Sequence, residues 1–294
     1  MKIVVVGSLN MDTTIVTKDL PKEGETVIAY DYYNSFGGKG ANQAVSCSRL
    51  GCDVTMVGCV GEDVVGENYT NKLKQEKINV ENIIKSPKAT GNAIISVQSD
   101  GHNSIIVYPG ANKDLTIEHI DKIWGSISKV DLIIVQFEIP LLVAKYVAKK
   151  AKESNIDIIV NPAPAFAIDS EFARNITYLT PNETELEFLS NEKNLEKGVQ
   201  KLLDLGIKNV IVTLGKKGCS WYTKNEKIKC SGLKVNTIDT TAAGDCFNGA
   251  FATALGLFKN KKQILEFANK AAAISTLTKG AIGSLPYFKD VMEF

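Results

Sequence analysis

Apolar residues along the chain come in two rhythms: short unbroken runs, and longer stretches where they recur every three or four positions. Ile3–Val6, Asp53–Val57, Val80–Ile84, Asp131–Gln136, Asp157–Val160 and Val210–Thr213 are runs rich in β-branched residues, and read as strands buried on both faces. Between them the helical period predicts helices over Ala44–Leu50, Val64–Glu76, Ile117–Trp124, Leu141–Glu153 and Gln263–Leu277, with one more after Pro181. Strand and helix alternate, so the expected fold class is α/β: a doubly wound, mainly parallel central sheet with helices on both faces.

Two regions break this rhythm. Ile15–Thr17 and Glu25–Tyr33 are extended pieces with polar breaks, and 92–98 followed by Ser-Asp-Gly-His-Asn and Ser-Ile-Ile-Val-Tyr reads as a hairpin. The expected organisation is one domain over 1–294, with segments at about 13–36 and 89–110 forming a small β-sheet lid.

Composition narrows the function. A 294-residue chain that is 44% hydrophobic has ample material for a core. Its formal net charge is +1 and its only arginines are Arg49 and Arg174, which argues against nucleic acid and anionic membrane as partners. Six cysteines without a C-x-x-C pair, and two histidines, give no zinc pattern. With no leader-like segment and no apolar run long enough for a membrane span, the expectation is a cytoplasmic protein with reduced thiols.

The chemistry concentrates late in the chain, in Asp-Thr-Thr-Ala-Ala-Gly-Asp-Cys-Phe-Asn-Gly-Ala at 239–250, a polar loop feeding a helix rich in small side chains. Ala243 and Gly244 leave backbone N–H groups open to a ligand at a helix N-terminus, which favours an anion. Asp245 adds a carboxylate able to take a proton from a hydroxyl. A base beside an anion hole suits phosphoryl transfer to an alcohol, although an aspartate at this position also simply stabilises a helix start. Asn10 and Asp12, two apart after the first strand, offer donors and acceptors on one side of an extended segment. Gly-Gly-Lys-Gly-Ala-Asn at 37–42 brings close backbone, a mobile cation at Lys39 and an amide at Asn42, without the spacing of a Walker A loop. Asn182 and Glu185 fall on one helical face and suit either metal-bound waters or a helix start.

The run at 239–250 and Gly-Gly-Lys-Gly-Ala-Asn-Gln-Ala at 37–44 resemble, in the right order, the two signatures of the ribokinase family of sugar kinases. The resemblance implies transfer of the γ-phosphoryl of ATP to the 5-hydroxyl of D-ribose, with Asp245 as general base and Ala243 and Gly244 as the anion hole. It places the sugar on Asn10, Asp12, Gly38, Lys39, Asn42 and Glu138. It places ATP, with Mg2+, on Asn182, Glu185, Thr213, Gly215, Gly218, Gly244 and Asn269, and an activating K+ or other monovalent cation on Asp239, Thr241, Ser275, Thr278, Gly280 and Ser284. Relatives also pair as homodimers through the lid sheet. Ala242 stands where many relatives carry glycine, and the expectation is a negative φ there. Same-family kinases for deoxyribose, fructose or a nucleoside are the nearest alternatives, with a non-catalytic sugar sensor behind them. No dinucleotide fingerprint follows the first strand, which disfavours a nicotinamide dehydrogenase.

Overall fold

The computed structural model describes residues 1–98 and 102–294. In chain order, β1 (Lys2–Val6) leads to β2 (Asn10–Thr17) and β3 (Asp31–Gly37), then α1 (Lys39–Arg49), β4 (Asp53–Gly61), α2 (Val64–Gln75) and β5 (Asn79–Ser86). After β6 (Gly91–Gln98) and β7 (Asn103–Tyr108) come α3 (Ile117–Ile127), β8 (Leu132–Gln136), α4 (Leu141–Glu153) and β9 (Asp157–Asn161). Next are α5 (Ser170–Ala173), β10 (Tyr178–Leu179), α6 (Glu183–Ser190), α7 (Leu195–Asp204), β11 (Asn209–Thr213), β12 (Gly218–Tyr222) and β13 (Lys227–Ser231). Helices α8 (Ala243–Leu257), α9 (Lys261–Ser275) and α10 (Phe288–Glu293) close the chain.

Nine strands form one sheet in the order β13-β12-β11-β10-β9-β8-β1-β4-β5. From β5 to β11 all neighbours are parallel, and the β12–β13 hairpin adds an antiparallel edge. Strand alternation divides the core. Ile3 and Val5 of β1 join the layer under α1, α8 and α9, whereas Val4 and Val6 join the layer under α3, α4 and α7. Chain order reverses at β1, which lies between β4 and β8, and such a switch opens a crevice at the carboxyl ends of the strands.

A separate four-stranded sheet, β3-β2-β6-β7, is built from the two irregular regions. The hairpin's strands pair antiparallel, Asn92 opposite Tyr108; of its predicted turn at 99–103, residues 99–101 lie outside the described residues and Asn103 already begins β7. The lid begins earlier than the sequence pattern indicates. β2 opens at Asn10, so Asn10 and Asp12 belong to the lid sheet itself. The extended piece expected from Glu25 starts only at Asp31, because pairing with β2 begins at the Val16–Asp31 register.

Helix α1 is pressed against both β1 and α8. A Cβ on Gly40 would lie 2.5 Å from the Ser8 amide nitrogen, and one on Gly249 would lie 2.4 Å from Ser46 Cβ. The small residues therefore set how closely α1 and α8 approach. At the other end of α1, Arg49 forks onto Glu76 at 2.8 and 2.9 Å and donates to the carbonyls of Ile282 and Leu285, tying the 282–285 segment to α1. No helix among the described residues is long and apolar enough to cross a membrane.

Candidate active site

Asp245 stands in the first turn of α8 and is 6% exposed. Both of its carboxylate oxygens are engaged from α1: Asn42 Nδ2 donates to Oδ2 at 2.9 Å, and Gln43 Nε2 donates to Oδ1 at 2.9 Å. A carboxylate held by two amide donors has a fixed plane, with one oxygen accepting from each. Gln43 is fixed in turn, since Nε2 also reaches Asn161 Oδ1 at 3.1 Å and Oε1 accepts from Gln136 Nε2 at 2.7 Å.

Gln136 ends β8 and Asn161 ends β9, so the sheet's carboxyl edge supports Asp245 through α1. Asn42 Oδ1 is buried without a hydrogen-bond partner, an acceptor awaiting a donor.

The polar groups of the first third converge on the same place. Asn10 and Asp12 are alternate residues of β2; a Cβ on Gly37 would lie 2.0 Å from Asp12 Oδ2, so glycine is required beside it. Burial, then the nearby charges of Glu138 and Asp245, push the Asp12 carboxyl up to about 7, with Lys39 opposing. Glu138 follows β8 and accepts from Ser8 Oγ at 2.5 Å and from the Lys39 amide at 3.0 Å. Asp245 is the main cause that raises the Lys39 ammonium above its ordinary value, outweighing burial, so Lys39 stays charged. Gly38 takes φ +86 and caps α1, and a Cβ there would meet the Asn10 amide at 2.7 Å. Asn10, Asp12, Gly38, Lys39, Asn42, Glu138 and Asp245 thus surround one polar crevice.

Of the two backbone amides expected to face an anion, one is engaged in a turn and one is open. The Ala243 N–H donates to the Thr240 carbonyl at 3.2 Å, closing the turn before the helix. The N–H groups of Gly244 and Asp245 have no such acceptor among the described residues, and space is open where a Gly244 Cβ would stand. The orphan amides at this helix N-terminus are therefore those of 244 and 245. Ala242 also departs from expectation: φ is +58 and ψ 9, in the left-handed region. The turn from Thr240 into α8 imposes it, and alanine's single methyl makes the strain tolerable.

On the other flank, Asn182 bridges Thr213 across the ends of β10 and β11, and the Thr213 amide donates to the Pro181 carbonyl at 3.0 Å. Asn182 and Glu185 form a capping box, each side chain accepting from the other's backbone N–H at 2.8 and 2.9 Å. Burial raises the Glu185 carboxyl, the Asn182 amide and Lys39 oppose, and Asp245 adds to the rise. Glu185 therefore shares Lys39 with Asp245. Gly215 (φ +52) and Gly218 (φ +98) bracket the tight turn between β11 and β12. Asn269 of α9 donates to the Ser231 carbonyl at 3.0 Å.

Asp239 joins two loops. It accepts from the Thr241 amide and hydroxyl at 2.9 and 2.7 Å and from the Gly280 amide at 2.9 Å, which holds its carboxyl below the usual range. Ser275 and Ser284 donate their hydroxyls to the carbonyls of Ala272 and Ala281, and Thr278 is exposed.

Sequence reasoning gave no role to Gln43, Ser8, Asn112, Gln136 or Asn161. Asn112 Nδ2 donates to Asn10 Oδ1 at 2.8 Å and fixes that side chain. A signal for Gln43 existed: Lys39, Asn42 and Gln43 fall at i, i+3 and i+4 on one helix face. Asn112 had none, because it reaches Asn10 across 102 residues.

With this geometry in hand, similarity to known proteins is decisive. The sequence profile described as pfkB family carbohydrate kinase matches residues 1–287. The chain belongs to that family. It is similar to a ribokinase of Haemophilus influenzae, 38% identical over 296 residues, covering 99% of this chain and 97% of the relative. A ribokinase crystal structure from Thermotoga maritima superimposes with a TM-score of 0.92 at 41% identity, covering 99% and 98% of the two chains. A ribokinase of Arabidopsis thaliana complexed with ribose and ATP gives 0.91 at 34% identity, covering 99% and 97%. The chain is therefore a carbohydrate kinase.

Proposed function

We propose that this kinase transfers the γ-phosphoryl group of ATP to the 5-hydroxyl of D-ribose. The observation that carries the reading is the meeting of Asp245 with Asn42 at 2.9 Å, which joins a late helix start to the crevice that holds Asn10 and Asp12. The relative solved with ribose and ATP supports the choice of both substrates.

In this reading Asn10, Asp12, Lys39, Asn42 and Glu138 fix the sugar hydroxyls, and the unpartnered Asn42 Oδ1 accepts from one of them. Asp245 takes the proton of the attacking alcohol. The free N–H groups of Gly244 and Asp245 face the charge of the transferring group, with Ala243 shaping the turn behind them. Lys39, coupled to Asp245, Glu138 and Glu185, carries positive charge between sugar and nucleotide. Thr213, Gly215, Gly218 and Asn269 belong to the nucleotide side.

No three His, Cys, Asp or Glu side chains cluster as a metal cage among the described residues. A magnesium ion held chiefly by ATP phosphates and water fits such a site, with Glu185 and Asn182 near its waters, and it neutralises phosphate charge. Asp239, Thr241, Ser275, Thr278, Gly280 and Ser284 offer only oxygen donors, which suits an alkali cation. The lid presents Ile94, Ile105, Ile106, Val107 and Tyr108 to solvent, and a second copy of the chain is the partner proposed for that face.

The test is ADP release at fixed Mg-ATP across ribose, deoxyribose, fructose and a nucleoside, with and without K+. Ribose should give the highest initial rate. A faster rate with another sugar reassigns the substrate, and no sugar-dependent ADP release points to a sensor.

A further inference from the structure

Asn112 lies in the short turn Gly110–Asp114, where the chain leaves the lid after β7 and returns to the body, and it is 1% exposed. Its side chain is used at both ends. Oδ1 accepts from the Leu9 amide at 2.9 Å, while Nδ2 donates to the Pro109 carbonyl at 3.0 Å, the Leu9 carbonyl at 3.2 Å and Asn10 Oδ1 at 2.8 Å. The chain enters the lid at Leu9 and Asn10, so one amide ties the way in to the way out. Next to it, the Ala111 amide donates to the Ala89 carbonyl at 2.9 Å and adds the crossing that leads into β6.

These bonds fix orientation as well as position. A backbone N–H can only donate, so the Leu9 amide decides which end of the Asn112 side chain is oxygen, and the nitrogen is the end that meets Asn10. Asn10 then has to turn its own oxygen toward Asn112. Asn10 Nδ2 is left over, and it donates to no group among the described residues. Gly91 makes the contact possible: it sits opposite Asn10 in the β2–β6 pairing, and a Cβ there would lie 2.3 Å from both Asn10 Oδ1 and Asn112 Nδ2.

We infer that Asn112 is a positioning residue for substrate selection, resting on the proposed contact of Asn10 with the sugar: it turns Asn10 so that the crevice offers an N–H donor there and no acceptor. The substrate atom that meets Asn10 must therefore carry a lone pair. A hydroxyl qualifies, since it can accept from Asn10 and donate to the carboxylate of Asp12, two residues along the same face of β2. A C–H leaves the donor unpaired, and an ammonium group has no lone pair to give it. The choice is set by the backbone N–H of Leu9 and relayed through two side-chain amides.

The experiment compares the unaltered kinase with Asn112→Ala, Gly91→Ala, Asn10→Ala and the Asn10→Ala/Asn112→Ala double variant, recording a melting temperature for each. The sugar is whichever one the unaltered protein phosphorylates fastest, so a wrong choice of ribose shows in that protein alone and leaves the comparison intact. Asn112→Ala and Gly91→Ala should each lower kcat/KM for the sugar by about 10–100-fold, through KM, with KM for ATP changed less than about 2-fold. Gly91→Ala wedges the two amides apart without removing either, and carries the test if Asn112→Ala does not fold. In the Asn10→Ala background, loss of Asn112 should cost less than about 3-fold more, because the group it aims is gone. An unchanged KM for the sugar in a folded Asn112→Ala protein would overturn the assignment. So would the same loss with and without Asn10, since Asn112 would then only hold the base of the lid.

Discussion

Gln43 and Asp245 lie 202 positions apart in the chain, yet the Gln43 amide donates to Asp245 Oδ1 at 2.9 Å while its own oxygen is held by Gln136. The proposed base is thus aimed by α1, and α1 is aimed by the sheet. Gln43→Leu removes a buried charge-assisted hydrogen bond worth roughly 1.5–3 kcal/mol. The expected result is a kcat lower by about 10–100-fold with little change in KM for ATP. Steady-state kinetics with both substrates varied would show it; unchanged kcat would mean that Asn42 alone suffices.

Asp245→Asn should leave sugar and nucleotide binding near normal. Asn42 can rotate its unpartnered Oδ1 toward the new amide, so the packing has a way to adapt. Turnover should fall by at least ~10²-fold, as for loss of a positioned base. Calorimetric binding alongside initial rates checks both halves, and near-full turnover would remove the role of Asp245.

Asp12 gives a pH signature. Its carboxyl is raised from 3.8 to about 7 in the fold, so the folded chain holds a proton that the unfolded chain has already lost. Its contribution to stability is complete below about 3.8 and is lost as pH rises through about 7. The sugar-free protein should melt at a lower temperature at pH 8 than at pH 6, less so in Asp12→Asn. In the proposed reading ionised Asp12 accepts from sugar hydroxyls, so KM for ribose should fall over the same interval. A pH-independent KM would show that Asp12 does not contact the sugar.

Ala242 sits at φ +58, a conformation that costs an L-residue about 1–2 kcal/mol. Glycine avoids that cost, offset in part by its larger entropy loss on folding. Ala242→Gly is expected to raise the melting temperature by about 2–4 °C, read by calorimetry, without lowering kcat. A lower melting temperature would mean that the methyl contributes packing the turn depends on.

Much of the architecture follows from local pattern. The β-branched runs at Ile3–Val6 and Asp131–Gln136 can be buried on both faces only in a covered parallel sheet, and they occupy its middle. Tyr178–Leu179 is a two-residue strand with no pattern to read, and it forms only because β9 and β11 flank it. β12 was likewise hidden, since every residue of Gly218–Tyr222 is buried and no alternation survives, whereas the polar–apolar alternation of Lys227–Ser231 in β13 was legible.

The chain by itself determined the α/β alternation, the separate lid and the polar residues able to handle an alcohol and a phosphate, because each depends on neighbours within a few positions. Only the tertiary structure decided that Asn42 and Gln43 grip Asp245, that Ala243 spends its N–H on a turn, and that Asp12 is forced toward neutrality. Those outcomes depend on burial and on charges brought together from distant segments, and no local pattern encodes a distance between them.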